Sequence, residues 1–153
     1  MRIAATLAAC LTLAACASAP EPPASTVSGT MRPYQVRGVW YTPRYDPDYD
    51  EVGLASWYGG KHDGRPTATG EIFDEDRLSA AHKTLPLPAM VEVKNLDNGR
   101  KIKVRVNDRG PFVDGRIIDL SREAAKELGM LEKGLARVRV RYLGPAERKQ
   151  ASR

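Results

Sequence analysis

With 153 residues the chain has room for one modest core and not for a second domain. Its 24 Lys and Arg against 19 Asp and Glu give a formal +5, which suits an acidic polymer or an anionic membrane surface. No helix-turn-helix pattern, zinc-knuckle spacing or aromatic RNP-like string accompanies that charge, so nucleic acid is not an expected partner.

The chain opens with Met1 and Arg2 followed by an apolar run over residues 3–15, too short and too broken to span a bilayer, so residues 1–15 read as an export signal. Leu13-Ala14-Ala15-Cys16 resembles a bacterial lipobox, in which Cys16 is diacylated and becomes the first mature residue. Leu7-Ala8-Ala9-Cys10 has the same letters but leaves too little apolar chain ahead of it. With Cys10 removed and Cys16 acylated no thiol remains, so neither a disulfide nor a Cys-ligated metal is expected in spite of an oxidising compartment. Acyl chains such as palmitate bury about 0.8 kcal/mol per methylene, and two or three of them hold a protein to a membrane. The residue after Cys16 is Ala17 and not the Asp that often retains lipoproteins at an inner membrane, which leans the expectation to the outer one. An ordinary secretory signal with incidental cysteines is the alternative.

Residues 16–33 are rich in Pro, Ala and Ser and read as a tether; residues 34–52 bring aromatics back and read as an extended arm. The domain is placed at residues 53–143, ahead of a polar tail over residues 144–153. Leu54-Ala55-Ser56-Trp57-Tyr58 is its first strand, and residues 78–83 are one short helical turn carrying His82 and stopped by Pro86 and Pro88. Met90-Val91-Glu92-Val93-Lys94 alternates, Asp97-Asn98-Gly99 has two-residue hairpin chemistry, and residues 102–106 return. Arg116-Ile117-Ile118-Asp119-Leu120 is a further strand, Ser121 caps a helix over residues 122–128, and Gly129 ends it. Residues 135–142 form the last strand, with Val138, Val140 and Tyr142 inward and three arginines outward. Five or six short strands with one short helix predict a small closed or nearly closed barrel.

Three titratable residues stand out. If the alternation of Ile102, Val104 and Val106 continues, Asp108 shares their apolar side at a strand end, and desolvation raises its pKa as a general acid requires. Glu71 follows the turn Thr67-Ala68-Thr69-Gly70, and His82 sits in Ala80-Ala81-His82-Lys83-Thr84. Each has a plain alternative: a turn residue for Asp108, a solvated loop carboxylate for Glu71, a histidine satisfying backbone groups for His82.

Gly53-Leu54-Ala55-Ser56-Trp57-Tyr58-Gly59, Thr67-Ala68-Thr69-Gly70-Glu71-Ile72-Phe73-Asp74, Leu78-Ser79-Ala80-Ala81-His82-Lys83-Thr84-Leu85-Pro86 and Val106-Asn107-Asp108-Arg109-Gly110-Pro111-Phe112 together resemble the rare lipoprotein A family, in order and through nearly all of the domain. The resemblance implies a mainly β fold, a six-stranded double-psi β-barrel with one or two short helices, related to the barrel of expansins. It implies an endolytic lytic transglycosylase of peptidoglycan that prefers glycan strands stripped of stem peptides and leaves 1,6-anhydro-muramic ends. Its catalytic positions fall on Asp108, Glu71 and His82. Apart from the resemblance, Trp57 and Tyr58 are candidate sugar-stacking surfaces, with core packing the plainer alternative, and Asn107 and Arg109 are further substrate-binding candidates. The resemblance calls for no metal and no organic cofactor, and it places the protein on the periplasmic side of the cell envelope. Many members carry a C-terminal peptidoglycan-binding repeat that directs them to the septum; the residues given after Tyr142 hold none, so septal targeting is left open, and division proteins or amidases as partners are not readable. The alternative class is a non-catalytic, expansin-like module that binds peptidoglycan.

Overall fold

The alternating stretches become strands in a computed structural model of the chain, which describes residues 28–149. The signal stretch, Cys16 and most of the tether lie outside the described residues. β1 (Tyr34–Val36) and β2 (Val39–Tyr41) make an antiparallel hairpin where an extended arm is expected. Tyr34 and Tyr41 stack with ring centres 5.3 Å apart, and both lie against Phe112.

Six strands then close on themselves: β3 (Asp50–Trp57), β4 (Ser79–His82), β5 (Ala89–Asn95), β6 (Lys101–Asp108), β7 (Arg116–Leu120) and β8 (Ala136–Pro145). Their order around the barrel is β3-β7-β4-β6-β5-β8, with β8 returning to β3, so no edge is left unpaired. The β3/β7 and β4/β6 pairs are parallel and the other four antiparallel. Val91, Val93, Val104, Val106, Ile118, Leu120, Val138 and Val140 are fully buried and fill the interior. At about 1.5–3 kcal/mol for each such side chain, this lining is the main force holding the barrel closed. Lys101, Lys103, Arg137, Arg139 and Arg141 alternate with it on the outside.

β3 starts at Asp50, inside the stretch read as an arm, because Asp50 pairs with Arg141 and its carboxylate takes the fork of Arg139 at 2.6 Å. Residues 78–83 are not a helical turn but the strand β4, and this corrects the sequence reading. Alanine favours helix locally. Here β4 lies between two ladders, parallel to β6 and antiparallel to β7, so both sides satisfy its backbone. All four of its residues are buried, which removes the alternation that would have marked a strand.

The β5–β6 hairpin forms as expected and sets Val91 opposite Val104 and Val93 opposite Ile102. Its loop is longer than two residues: the Asn95 N–H reaches the Arg100 carbonyl at 2.9 Å, leaving residues 96–99 as the turn with Gly99 at φ 77°. Ser121 caps α1 (Arg122–Glu127), its Oγ accepting from the Ala124 N–H at 3.2 Å. The chain after β8 is held, since Ala146 N–H donates to the Pro88 carbonyl at 3.1 Å and Arg105 Nη2 to that of Glu147 at 2.7 Å.

Candidate functional site

The alternation of β6 breaks just before its last residue. Ala80 of β4 pairs with Val106, but Ala81 pairs with Asp108, so β6 carries one extra residue, Asn107, as a bulge. Asp108 therefore joins Ala81 on the outer face of the sheet and leaves the Val106 side that strict alternation predicts. Ala81 in turn pairs with Asp119 of β7, and Asp119 with Ser56 of β3. Asp108, Ala81, Asp119 and Ser56 thus form one row across four neighbouring strands. The residues one step along, Val106, Ala80 and Leu120, face the core.

Asp108 Oδ1 accepts hydrogen bonds from the Ala68 N–H at 2.9 Å and the Arg109 N–H at 2.8 Å. Burial pushes its carboxyl above the usual aspartate range, and those two N–H groups with the His62 and Arg109 charges only partly offset that. Asp119 is in the same condition: burial raises it, against a hydrogen bond from Ser56 Oγ and the charges of Arg116, Lys83 and His62. Arg116 Nη1 reaches Ser56 Oγ at 3.1 Å and so backs that hydroxyl. Tyr58, just past the end of β3, stacks on Phe73 with centres 4.5 Å apart and meets His62 edge-on at 5.6 Å. Its buried hydroxyl has no partner among the described residues. Burial and then the Asp108 and Asp119 charges hold that phenol protonated. Trp57 alternates to the other side, packs against the core and donates its ring N–H to the Leu131 carbonyl at 3.2 Å.

Glu71 comes to this wall on a tight loop, in which Thr67 N–H meets the Glu71 carbonyl at 2.7 Å and Gly70 takes φ 82°. Its carboxylate receives Arg105 Nη2 at 2.5 Å, Arg105 Nε at 3.0 Å and Asn107 Nδ2 at 3.0 Å. Burial alone would raise its pKa, but the Arg105 and Asn107 bonds and the Arg105 charge outweigh it and hold the group below the usual range. Glu71 is an anion at neutral pH.

His82 takes the opposite direction from Ala81. Its Nδ1 accepts from the Thr84 and Leu85 N–H groups, both at 3.1 Å, which leaves the proton on Nε2 to meet the Tyr49 hydroxyl at 2.9 Å. Burial, then the Arg109 and Lys83 charges, lower its pKa to about 3. The Arg109 guanidinium donates to the carbonyls of His82 at 3.1 Å, Leu85 at 2.7 Å and Thr30 at 2.6 Å. Its face lies 5.7 Å from the Tyr34 ring centre.

The structure thus brings Asp108, Asn107 and Glu71 together through the loop at residues 67–71. No hydrogen bond among the described residues joins His82 to either carboxylate; its link to Asp108 runs through Arg109. Sequence reading passed over Asp119. Its signal is parity: flanked by Ile118 and Leu120, it must face outward, on the same side as Ser56. Among the described residues no group of three or more His, Cys, Asp or Glu side chains is placed to hold a metal ion.

The closed six-stranded barrel defines the class, a double-psi β-barrel protein, here with two burial-raised carboxyls on its outer face. More particularly, the chain belongs to the family described as lytic transglycolase, whose sequence model matches residues 50–140. It is 55% identical over 116 residues to the endolytic peptidoglycan transglycosylase RlpA of Pseudomonas aeruginosa, covering 75% of this chain and 34% of that one. It is 46% identical over 125 residues to the protein of the same description from Campylobacter jejuni, covering 81% and 46%. The chain therefore spans between a third and a half of the length of these relatives. Among solved structures it is similar to the Streptomyces papain inhibitor, with 25% identity, a TM-score of 0.53, and 65% and 99% of the two chains covered. An expansin of Clavibacter michiganensis in complex with cellohexaose shares the fold, with 19% identity, a TM-score of 0.50, and 65% and 53% covered.

Proposed function

We propose that this barrel is an endolytic lytic transglycosylase that cuts the bond between N-acetylmuramic acid and N-acetylglucosamine in peptidoglycan strands free of stem peptides. The observation that supports it most is the Asp108 carboxyl, raised by burial yet set on the outer wall of a barrel whose family is described by that activity. Asp108 gives its proton to the bridging oxygen as the glycosidic bond breaks. As a carboxylate it then takes the proton of the muramic C6 hydroxyl, whose oxygen closes the 1,6-anhydro ring on the anomeric carbon. No water is consumed. Glu71 stays ionised and fixes Asn107 and the loop that supplies the Ala68 N–H; His82 acts as a positioning residue through the carbonyl that grips Arg109. The Tyr58 ring, stacked on Phe73, is only partly buried and stays the candidate sugar-stacking surface, whereas Trp57 is tied to Leu131.

The test is mass spectrometry of peptide-free glycan incubated with the chain. Fragments ending in anhydro-muramic acid are expected, and Asp108→Asn is expected to lower their release by about 100-fold or more with strand binding retained. Reducing ends would mean hydrolysis, and strand binding without fragments would mean an expansin-like module; either result overturns the reading.

The same proposal places the protein at the periplasmic side of the envelope, anchored through acyl chains on Cys16. Cys16→Ser is expected to move it from the membrane fraction to the soluble one and to abolish palmitate labelling.

A further inference from the structure

The proton-handling scheme uses one buried carboxyl of the wall and leaves another idle. Asp119 lies two strands from Asp108 in the same row, with Ala81, whose methyl is itself buried, forming the floor between them. Two strand spacings of about 4.8 Å put their Cα atoms roughly 10 Å apart, with both side chains on the outer face. Each carboxyl is held by its Oδ1, Asp108 by two N–H groups and Asp119 by Ser56 Oγ. Among the described residues neither Oδ2 has a protein partner, and neither is sealed from solvent.

We propose that Asp119 is the second catalytic carboxyl of this site, the ionised group that stabilises the cationic muramic ring while Asp108 moves the proton. This rests on the transglycosylase reading. In the reaction the bond from the anomeric carbon to the bridging oxygen breaks, that oxygen takes the Asp108 proton, and the ring carries the positive charge. The C6 oxygen then bonds to the anomeric carbon and returns its proton to Asp108, while Asp119 is unchanged. The groups facing Asp119 are Ser56 from β3, Arg116 from its own strand, Lys83 beyond the end of β4, His62 and Tyr58 from the loops, and Asp108 across the floor. Burial raises both carboxyls; at Asp119 the Ser56 hydroxyl and the Arg116, Lys83 and His62 charges work towards the ionised form, as two N–H groups and the His62 and Arg109 charges do at Asp108.

The experiment compares Asp119→Asn and Ser56→Ala with the wild-type chain, reading initial rates on peptide-free strands across pH, strand pull-down and thermal melting. Asp119→Asn is expected to lower the rate about 100-fold while pull-down persists. Ser56→Ala, which removes the donor favouring the charged form, is expected to move the acid limb of the rate profile to higher pH. An Asp119→Asn rate within about threefold of wild type overturns the proposal. Should that variant not fold, an acid limb unmoved in Ser56→Ala overturns it instead, and a moved limb supports it. If the wild-type chain releases no fragments, the transglycosylase reading fails and carries this one with it; an active wild type with an unaffected Asp119→Asn sinks the Asp119 role alone.

Discussion

His82 and Glu71 are two ionisable residues that the fold drives to opposite ends of their chemistry. His82 is kept neutral, with a pKa near 3 against 6.5 for the free side chain, so below pH 6.5 the unfolded chain binds a proton that the folded chain refuses. Stability must therefore fall as pH drops from about 6.5 towards 3, by at most about 1.4 kcal/mol per pH unit from this group. Urea denaturation at pH 7 and pH 5 checks it: the wild-type chain should lose more between the two than His82→Leu does. Glu71 has the same sign in a more acidic window, since its lowered pKa lends stability that is present above its unfolded value and disappears as pH falls through the folded one. Glu71→Gln is expected to cost about 1–3 kcal/mol by weakening the Arg105 contact, and to reduce turnover less than Asp108→Asn. The sequence made these residue types legible as chemistry. It could not show that both His82 nitrogens are already used, because Tyr49 lies 33 positions away and meets His82 only once β3 and β4 are in place.

At the level of elements, Asp108 owes its place to a bulge. A single extra residue in β6 moves it from the core face to the outer one, and nothing in Val106-Asn107-Asp108 announces this, because a bulge is defined by the count on the partner strand. The same dependence hid β4: its alanines read as helix in isolation and as strand only between β6 and β7. Where a strand has one covered face, as in β5, β8 and β6 up to Val106, alternation was enough. Ala81 tests the row directly. Ala81→Val keeps a side chain suited to a strand but lifts the floor between the two carboxyls. The expected result is a fall in turnover of about 100-fold with no more than the 1–3 kcal/mol that overpacking costs, read by fragment release and by melting. Equal and small effects on both would mean that substrate does not cross this floor.

For the molecule as a whole, the chain order makes a barrel expected, but the cyclic order β3-β7-β4-β6-β5-β8 follows from no local pattern. Charge distributes in a similar way. A strand stripped of stem peptides exposes one lactyl carboxylate per muramic acid, and the net +5 of the chain favours it. Much of the basic surface is on the far wall, where Arg139 and Arg141 answer Asp50 and Glu92. Binding to peptide-free strands should weaken as salt rises, because attraction between exposed charges is screened over about 10 Å at 0.1 M. Pull-down at low and high salt measures this. Arg109→Ala should weaken binding more than Arg139→Ala and should also lower the melting temperature, since it releases the carbonyls of Thr30, His82 and Leu85.

That grip on Thr30 also fixes where the polypeptide joins the barrel. Thr30 is held by Arg109 and by the Leu87 carbonyl, and Tyr34 by that of Lys83, so the leading chain leaves the wall next to Asp108. With an acyl anchor at Cys16, some fourteen residues separate membrane and groove, and at no more than about 3.5 Å each they allow a leash of roughly 50 Å. The protein would then work as a tethered blade with a fixed radius, shearing only the layer of wall nearest its membrane, and lengthening the leash would deepen the cut without altering the blade.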